Sequence, residues 1–318
     1  MTPTQLRAFA EVVRCGSVKA AAGALGVTEA AVSLHVAALR KELDDPLFHR
    51  TGAGIAFTPG GLRLAGRAVE LLGLQERTRG EVRDAAAGRR VLGLAATSLF
   101  AEFAAPGLIE LFSTRANDLS VEMRVLPSDD FTELLEGLAV DVAIGPVRDA
   151  VRDPIEQTPF LRYQLVTVAA PRHEAAQRRL SAAELADQTW LLGPSAAEPR
   201  SATARVVRQL RVPEPRQRIF QSHAAAIDQV KKGEGVGLAL AFRVGADIDA
   251  GHLVRVDVAG SSADGTWALF SLGLARLTPA ARELRRFITT PRATQAMLAG
   301  SGAGVTHFRP AVHVTLWS

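Results

Sequence analysis

Five hydroxyl side chains occupy positions suited to binding a small anion. Each follows a predicted strand and precedes or begins a predicted helix, where unpaired backbone N–H groups and the positive end of the helix dipole attract negative charge. The five are Thr97, Ser98, Ser128, Ser195 and Ser222. A single hydroxyl at such a position more often only caps its helix. Because the set falls at equivalent points around one predicted cleft, it predicts binding of a small, polar, anionic metabolite.

A second group of side chains lies on the outward face of a predicted helix. The group consists of Thr28, Glu29, Ala30, Ser33 and Leu34. A serine hydroxyl can bond to a base or a phosphate, a leucine or alanine can touch a thymine methyl group, and the carboxylate of Glu29 can accept a hydrogen bond from cytosine N4. These side chains predict contact with double-stranded DNA, and the alternative is a helix face that meets only water.

Residues 16–50 have the pattern of a helix-turn-helix that would carry this face. Val18–Leu25 is predicted as one short helix, Gly26 as the sharp turn and Thr28 as the cap of a second helix. Apolar residues recur in the second helix at three- and four-residue spacing, which predicts their burial. They are Val32, Val36, Leu39 and Leu43. A preceding helix capped by Thr4 would complete a three-helix core.

Residues 50–57 alternate around glycines as a short hairpin does, in the position of a wing. Arg50, at its start, is predicted to reach a DNA phosphate or the minor groove. A surface ion pair between Arg50 and Asp44 or Asp45 is an equally weighted alternative.

A long helix is predicted from Thr58 and Pro59 to the break at Gly88. Its seam has the spacing of a helix that pairs with a partner. The seam residues are Leu62, Ala65, Val69, Leu72 and Glu76. At about 1.5 Å per residue, a helix of this length outreaches a small domain. We therefore predict a dimerising helix, with an ordinary helix lying on a domain as the alternative.

From Arg89 onward, short apolar strands alternate with helical segments, which indicates parallel sheets with crossover helices. Two consecutive sets of this pattern predict two lobes with a cleft between them. Trp267–Leu274 and Thr278–Ile288 follow the second set and are predicted to return to the first lobe, so that the connections form a hinge. The predicted domains are 1–58 (DNA-binding), 59–88 (linker helix), 89–290 (two lobes, about 89–160 with 266–290 and about 161–265) and 291–318 (C-terminal extension without an assigned function).

Composition excludes several classes of protein. A hydrophobic fraction of 47% with 22% charged residues is typical of a folded globular chain. No uncharged run approaches the roughly 18 to 20 apolar residues of a membrane span, and the first residues do not resemble an export signal, so we expect a cytoplasmic protein without a membrane partner. The net charge of +4 does not by itself identify a nucleic-acid binder.

Cys15 is the only cysteine, which agrees with a reducing compartment and excludes a disulfide switch within one chain. We expect it to be buried and inert, with a redox-sensing thiol as the alternative.

The order of parts resembles that of the LysR-type transcriptional regulators to about residue 290. The resemblance is strongest near the N-terminus, and a weaker match runs from Gln221 to Ala239. The N-terminal residues that carry it are Leu6, Phe9, Gly16, Ser17, Ala21, Ala22, Leu25, Val27, Ala31, Val32, Ser33, Val36, Leu39, Leu43, Leu47, Phe48, Arg50, Thr58 and Gly60 or Gly61.

This resemblance implies a winged helix-turn-helix, a dimerising linker helix and an effector domain shaped like a periplasmic solute-binding protein. It also implies dimers that assemble as tetramers, a small-molecule effector and no cofactor. The groove-facing positions depart from the family pattern, with Glu29 where the family usually has Gln, and Leu34 and His35 where polar or basic residues are common. Arg40 likewise stands where Glu commonly follows the leucine.

Two other classes of protein are alternatives. An enzyme is disfavoured because the chain has no phosphate-binding P-loop, no paired-cysteine metal spacing and no G-x-S-x-G nucleophile motif. A ligand-binding protein of solute-binding fold without a role on DNA would fit the two-lobed region alone, and it stays open as the alternative.

Overall fold

A computed structural model describes residues 1–51, 54–86, 88–116 and 118–299, without the side chains of residues 50, 51 and 54. Two patterns in the predicted C-terminal extension lie outside this description. One is the glycine-containing stretch 300–304, and the other is the alternation of Val312, Val314 and Leu316, which predicts an added strand. The chain divides into two compact units, one formed by residues 1–87 with 136–139 and the other by residues 88–135 with those from 140 onward.

The first unit contains three short helices, a two-stranded hairpin and one long helix. Its elements are α1 (Pro3–Cys15), α2 (Val18–Leu25), α3 (Glu29–Leu43), β1 (Phe48–Thr51), β2 (Gly54–Phe57) and α4 (Pro59–Ala86). The antiparallel pair β1 and β2 confirms the predicted hairpin. The core joins α1, α2 and α3 to the residues that lead into the hairpin. Its largest members are Phe9, Leu39, Leu47 and Phe48.

The helix boundaries of this unit follow from local capping. Gly16 and Gly26 end α1 and α2 with φ of 68° and 65°, a conformation that glycine adopts without steric cost. The Thr28 hydroxyl accepts a hydrogen bond of 3.2 Å from Ala31 N, as predicted for the cap of α3. The prediction that Thr4 caps the first helix was wrong. Thr2 is the cap, because Pro3 supplies the first helical residue and needs no hydrogen-bond acceptor.

The predicted burial of α3 holds for three of its four apolar positions. Val32, Val36 and Leu39 are buried, whereas Leu43 is 41% exposed. Leu43 is the last residue of the helix, immediately before the left-handed Asp44, so it extends past the core.

Asp45 connects the end of α3 to the start of α4. Its Oδ1 accepts hydrogen bonds from Leu47 N and from the Thr58 hydroxyl, both at 2.6 Å. The Thr58 hydroxyl in turn accepts from Gly61 N at 2.9 Å and so caps α4. The hydrogen bond from Thr58, followed by that from Leu47, lowers the pKa of the Asp45 carboxyl below its ordinary value.

In the described part of the second unit, nine strands form one curled mixed sheet. Its strand order is β4-β3-β5-β11-β6-β9-β7-β8, with β10 beside β6. The strands are β3 (Arg90–Ala96), β4 (Leu119–Val125), β5 (Val142–Pro146), β6 (Ile155–Ala169), β7 (Trp190–Leu192), β8 (Gln217–Ile219), β9 (Val236–Leu240), β10 (Val254–Arg255) and β11 (Ala263–Leu272).

Helices cover this sheet. They are α5 (Ser98–Phe103), α6 (Ala105–Ser113), α7 (Phe131–Glu136), α8 (Glu174–Gln177), α9 (Ala182–Ala186), α10 (Ala202–Leu210), α11 (His223–Lys231), α12 (Ala241–Asp249), α13 (Pro279–Phe287) and α14 (Pro291–Ala299). The sequence pattern predicts one helix over residues 99–112, but the structure divides it at Ala104 into α5 and α6, because Pro106 has no N–H to donate to the carbonyl of Glu102. Helix α14 lies beyond the predicted boundary at 290 and buries Ala293 and Met297 in the same core as α6.

The parallel pattern is confirmed within each lobe and changes between them. In the first lobe β3 pairs in parallel with β4 and β5, and in the second lobe β7 does so with β8 and β9. The long strands β6 and β11 pass between the lobes as an antiparallel pair. As predicted, β11 returns to the first lobe, where it pairs with β5. Trp267 on β11 lies 4.3 Å from Tyr163 of β6 and 5.2 Å from Phe100 of α5, ring centroid to ring centroid.

No single helix among the described residues is long and apolar enough to cross a membrane. Only α2 and α3, which are bent by 111° relative to each other, reach that length and hydropathy when taken together.

Candidate functional sites

The first candidate site is the outward face of α3. Glu29, Ala30, Ser33 and Leu34 are all exposed there, and Leu34 is 69% exposed. The exposed Thr28 precedes them, with its hydroxyl already accepting the capping hydrogen bond. These residues are exposed because the opposite face of α3, formed by Val32, Val36 and Leu39, packs against the core. The five residues form one continuous surface, and their role as DNA contacts stays a prediction.

The hairpin follows α3 directly. Phe48 pairs with Phe57 and Arg50 with Ile55 in the β1–β2 register. The backbone of Arg50 therefore lies in the hairpin, as expected of a wing residue, while its side chain falls outside the described residues.

The second candidate site is the region where the two lobes meet, and Ser98 lies within it. At the start of α5, the backbone N–H of Ser98 donates to Glu198 Oε1 at 3.1 Å, and the Ser98 hydroxyl donates to the same oxygen at 2.5 Å. The group that Ser98 binds is thus a carboxylate of the same chain, and its predicted contact with an effector stays a prediction. Thr97 just before it is buried, and its backbone N–H donates to Ile144 O.

Ser195 and Ser222 lie near each other in the second lobe. Ser195 is fully buried, with its Oγ 2.8 Å from Thr203 Oγ1 and 2.8 Å from His223 Nε2. The Ser222 hydroxyl accepts from Ala225 N at 3.1 Å and caps α11. Ser222 therefore acts as a helix cap, the alternative role for these hydroxyls, whereas Ser195 belongs to a buried polar cluster.

Ser128 lies in the first lobe, at the start of a short 3₁₀ turn after β4. It is buried, and its carbonyl accepts a hydrogen bond from the guanidinium of Arg148. Burial and then the nearby charge of Arg200 lower the pKa of Arg148. Arg200, from the second lobe, pairs with Asp129 next to Ser128. The assignment of all five hydroxyl positions to effector binding stays a prediction.

A cavity of about 820 Å³ opens beside the strands that join the lobes. It is lined by Pro146, Val147, Asp149, Arg162, Tyr163, Gln164, Arg200, Ala202, Arg205, Asp264, Gly265 and Thr266. None of the five predicted hydroxyl residues is in this lining. The sequence signal that could have indicated it is the charged residue Arg162, which takes the polar position between Leu161 and Tyr163 in the alternation of β6.

Three arginine residues line this cavity. Arg200 is held by Asp129, Arg205 donates to the carbonyl of Asp264 at 2.5 Å, and Arg162 has no polar partner among the described residues. Burial is the main cause that raises the pKa of Tyr163 to about 12, so its hydroxyl is protonated at neutral pH. The cavity thus offers cationic donors and one neutral phenol, which suits an anionic ligand.

Cys15 is half-buried rather than buried, and its thiol lies 3.4 Å from Glu11 Oε1. Burial and this hydrogen bond raise the pKa of the Cys15 thiol, which disfavours the reactive thiolate. Within the described residues, His, Cys, Asp and Glu side chains do not gather in any group of three that could hold a metal ion.

Comparisons with known proteins decide between the open classes. Residues 3–62 match the family described as bacterial regulatory helix-turn-helix protein, LysR family, and residues 85–291 match the LysR substrate binding domain. The chain belongs to the LysR family. A LysR regulator binds DNA through its helix-turn-helix, so the alternative of a solute-binding protein without a role on DNA is excluded, and the protein is a transcriptional regulator rather than an enzyme.

Three proteins similar to this LysR regulator each cover at least 90% of its chain. An uncharacterised HTH-type transcriptional regulator of Mycobacterium tuberculosis is 56% identical over 321 residues, covering all of both chains. The RuBisCO operon transcriptional regulator of Allochromatium vinosum is 28% identical and covers 91% of this chain and 96% of its own. The crystal structure of ArgP from M. tuberculosis shares the fold, with a TM-score of 0.57, 20% identity and coverage of 90% of this chain and 97% of its own.

Proposed function

We propose that this LysR regulator responds to a small polar metabolite with anionic groups, and that this ligand occupies the cavity lined by Arg162, Arg200 and Arg205. The observation that carries the proposal is the convergence of three guanidinium groups on one cavity of about 820 Å³. Guanidinium groups bind carboxylate and phosphate with paired hydrogen bonds. Two carboxylates, Asp149 and Asp264, also face the cavity, so its lining keeps a positive balance.

The position of the cavity supports a regulatory role for such a ligand. Arg162 and Thr266 lie on the strands that join the lobes, whereas Val147 follows β5 of the first lobe and Ala202 begins α10 of the second. A ligand that touches both lobes favours the lobe separation to which it binds more tightly. We infer that this change alters how paired winged helices bind a promoter site.

The five predicted hydroxyl residues have a role in this proposal that depends on the separation of the lobes. Thr97, Ser98, Ser128, Ser195 and Ser222 are buried or bonded within the chain when the lobes stand as described. We propose that they contact the ligand only when the lobes separate.

We further propose that Thr28, Glu29, Ala30, Ser33, Leu34 and Arg50 contact duplex DNA, and that the protein acts in the cytoplasm. Self-association is proposed to run along α4, whose exposed apolar residues lack a covering element within the described unit. They are Leu62, Val69, Leu71, Leu74 and Val82. A dimer formed there would present two winged helices to a palindromic site, and we expect two dimers to form a tetramer.

The ligand proposal is tested with the full chain and Arg162→Gln, Arg205→Gln and Arg218→Gln variants. Arg218 is exposed on β8, away from the cavity lining, and serves as the matched control. Citrate and pyrophosphate are the anionic probes and glycerol is the neutral one. We expect the anions to raise the melting temperature of the parent and of the Arg218 variant and to change promoter binding. In the cavity variants, the anion concentration needed for half of either effect should rise at least about tenfold, the loss of affinity that corresponds to roughly 1.4 kcal/mol. An equal response in all four proteins would overturn the proposal.

A further inference from the structure

Two carboxylates cross between the lobes in opposite directions. Glu198, from the segment between β7 and α10 of the second lobe, accepts from the backbone N–H and hydroxyl of Ser98 at the start of α5. Glu102, from α5 of the first lobe, accepts at Oε2 from His223 N at 2.8 Å and at Oε1 from Ala224 N at 2.7 Å. Each carboxylate therefore meets backbone N–H groups in the first turn of a helix in the other lobe, where negative charge is favoured.

A single face of α5 makes both contacts. Ser98 and Glu102 are four residues apart, so they lie one above the other on the same side of the helix. This face meets residues of the second lobe that are 100 positions (Glu198) and 121 positions (His223) away in sequence. The first lobe thus contributes one donor site and one carboxylate to a reciprocal pair.

Residues of both lobes fix the orientation of the His223 ring. The ring is 3% exposed, with Nδ1 2.6 Å from Glu102 Oε2 and Nε2 2.8 Å from Ser195 Oγ. Phe103 packs against it with ring centroids 5.7 Å apart. Gly193 leaves room for the ring, because a Cβ there would lie 2.3 Å from His223 Cδ2. A ring bonded at both nitrogens and packed on two sides has one orientation available.

We propose that Glu102 and Glu198 form a reciprocal clasp that holds the two lobes at their present spacing and thereby sets the width of the effector cavity. Neither glutamate lines that cavity, but Glu198 lies two residues before Arg200, which does. The two glutamates are positioning residues, acting on the ligand through the walls they hold. The part of this inference that concerns ligand affinity rests on the proposed function, whereas the part that concerns lobe spacing does not.

Spin labels report the lobe spacing directly in the full chain. A Cys15→Ser background receives label cysteines at the exposed Glu110 and Glu214, one in each lobe. Labelled chains are diluted in unlabelled chains so that distances within one chain dominate. The test variants are Glu102→Gln, Glu198→Gln and both together. Each substitution removes the negative charge of the side chain and keeps its shape nearly unchanged. Glu122→Gln, an exposed glutamate on β4, is the matched control.

We expect broader distance distributions in the single variants. In the double variant we expect a mean shift of more than about 2 Å, the scale of hinge rearrangements. The control should match the parent. We also expect pyrophosphate affinity to fall about fivefold or more in the double variant, a typical size for coupled sites. Circular dichroism verifies that each variant is folded. If Glu198→Gln does not fold, Ser98→Ala removes the hydroxyl hydrogen bond to Glu198 and leaves only the bond from the backbone N–H.

A distance distribution in the folded double variant that superimposes on that of the parent would overturn the clasp. If the distances change as expected but pyrophosphate binds neither the parent nor any variant, the clasp is supported and the proposed effector cavity is refuted. If pyrophosphate binds the parent and the double variant equally while the distances change, the clasp sets lobe spacing and its link to the cavity is refuted.

Discussion

Arg40 on α3 holds Phe48, the first residue of the hairpin. Its Nη2 donates to the Phe48 carbonyl at 2.9 Å, and its guanidinium carbon lies 4.4 Å from the centroid of the Phe48 ring. The arginine therefore combines a hydrogen bond with a cation–π contact to the same residue. Arg40 is the position where glutamate is common in the LysR family, so this chain connects α3 to the hairpin with a positive charge.

Arg40→Met should weaken promoter binding more than Lys41→Met, although both remove one positive charge. Lys41 is exposed on the next position of α3 and makes a suitable control. Methionine keeps the apolar stem of Arg40 but loses both contacts with Phe48, so the wing loses its anchor. Fluorescence polarisation of labelled promoter DNA at several salt concentrations measures this difference. Equal affinity losses in the two variants would mean that Arg40 contributes only charge.

Gly61→Ala and Gly66→Ala should have opposite effects on the stability of the DNA-binding unit. Both glycines lie in α4, but a Cβ at Gly61 would lie 1.8 Å from the Leu47 carbonyl oxygen, whereas nothing lies within 4 Å at Gly66. Alanine at 66 should stabilise by up to about 1 kcal/mol through helix propensity. Alanine at position 61 should destabilise this unit, because the backbone at Leu47 must move to make room for the methyl group. Thermal unfolding followed by circular dichroism measures both, and a stable Gly61→Ala variant would contradict the packing at Leu47.

Glu102→Gln should destabilise the effector domain in a pH-dependent way. Burial raises the pKa of Glu102, but hydrogen bonds from the His223 side chain and from the backbone of His223 and Ala224 outweigh it, so the pKa lies below 4.5. A carboxyl with a lowered folded-state pKa contributes stability that is fully present above its unfolded pKa and is lost as pH falls through the folded value. Arg243, which lies over the neighbouring Phe103 ring, is a further charge near this site.

We expect the free energy of unfolding of the Glu102→Gln variant to be lower than that of the parent by roughly 1–3 kcal/mol at pH 7. The difference should begin to shrink as the pH falls below the pKa of the carboxyl in the unfolded chain, about 4.3, and should be lost as the pH falls through the lowered pKa of the folded protein. Urea unfolding of both proteins across this pH range measures the difference, with Glu122→Gln as the control. A difference that stays constant with pH would show that the charge of Glu102 does not matter.

Glu29→Ala should relax the base preference of the protein and strengthen its binding to unrelated DNA. Glu29 is exposed in the first turn of α3, where a carboxylate repels phosphate but can accept from cytosine N4. We expect the loss of about 1–3 kcal/mol of discrimination at one base position. Selection from randomised duplexes with parent and variant identifies that position. An unchanged selected sequence would place Glu29 outside the base contacts.

Local sequence patterns determined the elements and faces of this protein. The spacing of Val32, Val36 and Leu39 predicted the buried side of α3 and hence its exposed side, because one turn of helix places residues three and four apart on one face. Capping residues and glycines predicted the boundaries of α2 and α3 well. The family also follows from the sequence, since its N-terminal match needs no coordinates.

The tertiary structure alone decided which groups meet between the lobes. Ser98 was expected to bind an anion, and the carboxylate that it binds comes from Glu198, 100 residues away. Arg162, Arg200 and Arg205 converge on a cavity although they lie on a strand, a loop and a helix. Periodicity reports which face of an element is apolar, but contacts of this kind depend on how β6 and β11 carry the chain from one lobe to the other. The order of elements predicted that β11 returns to the first lobe. Which residues of β6 and β11 face each other is decided by long-range strand pairing, which leaves no signature in local spacing.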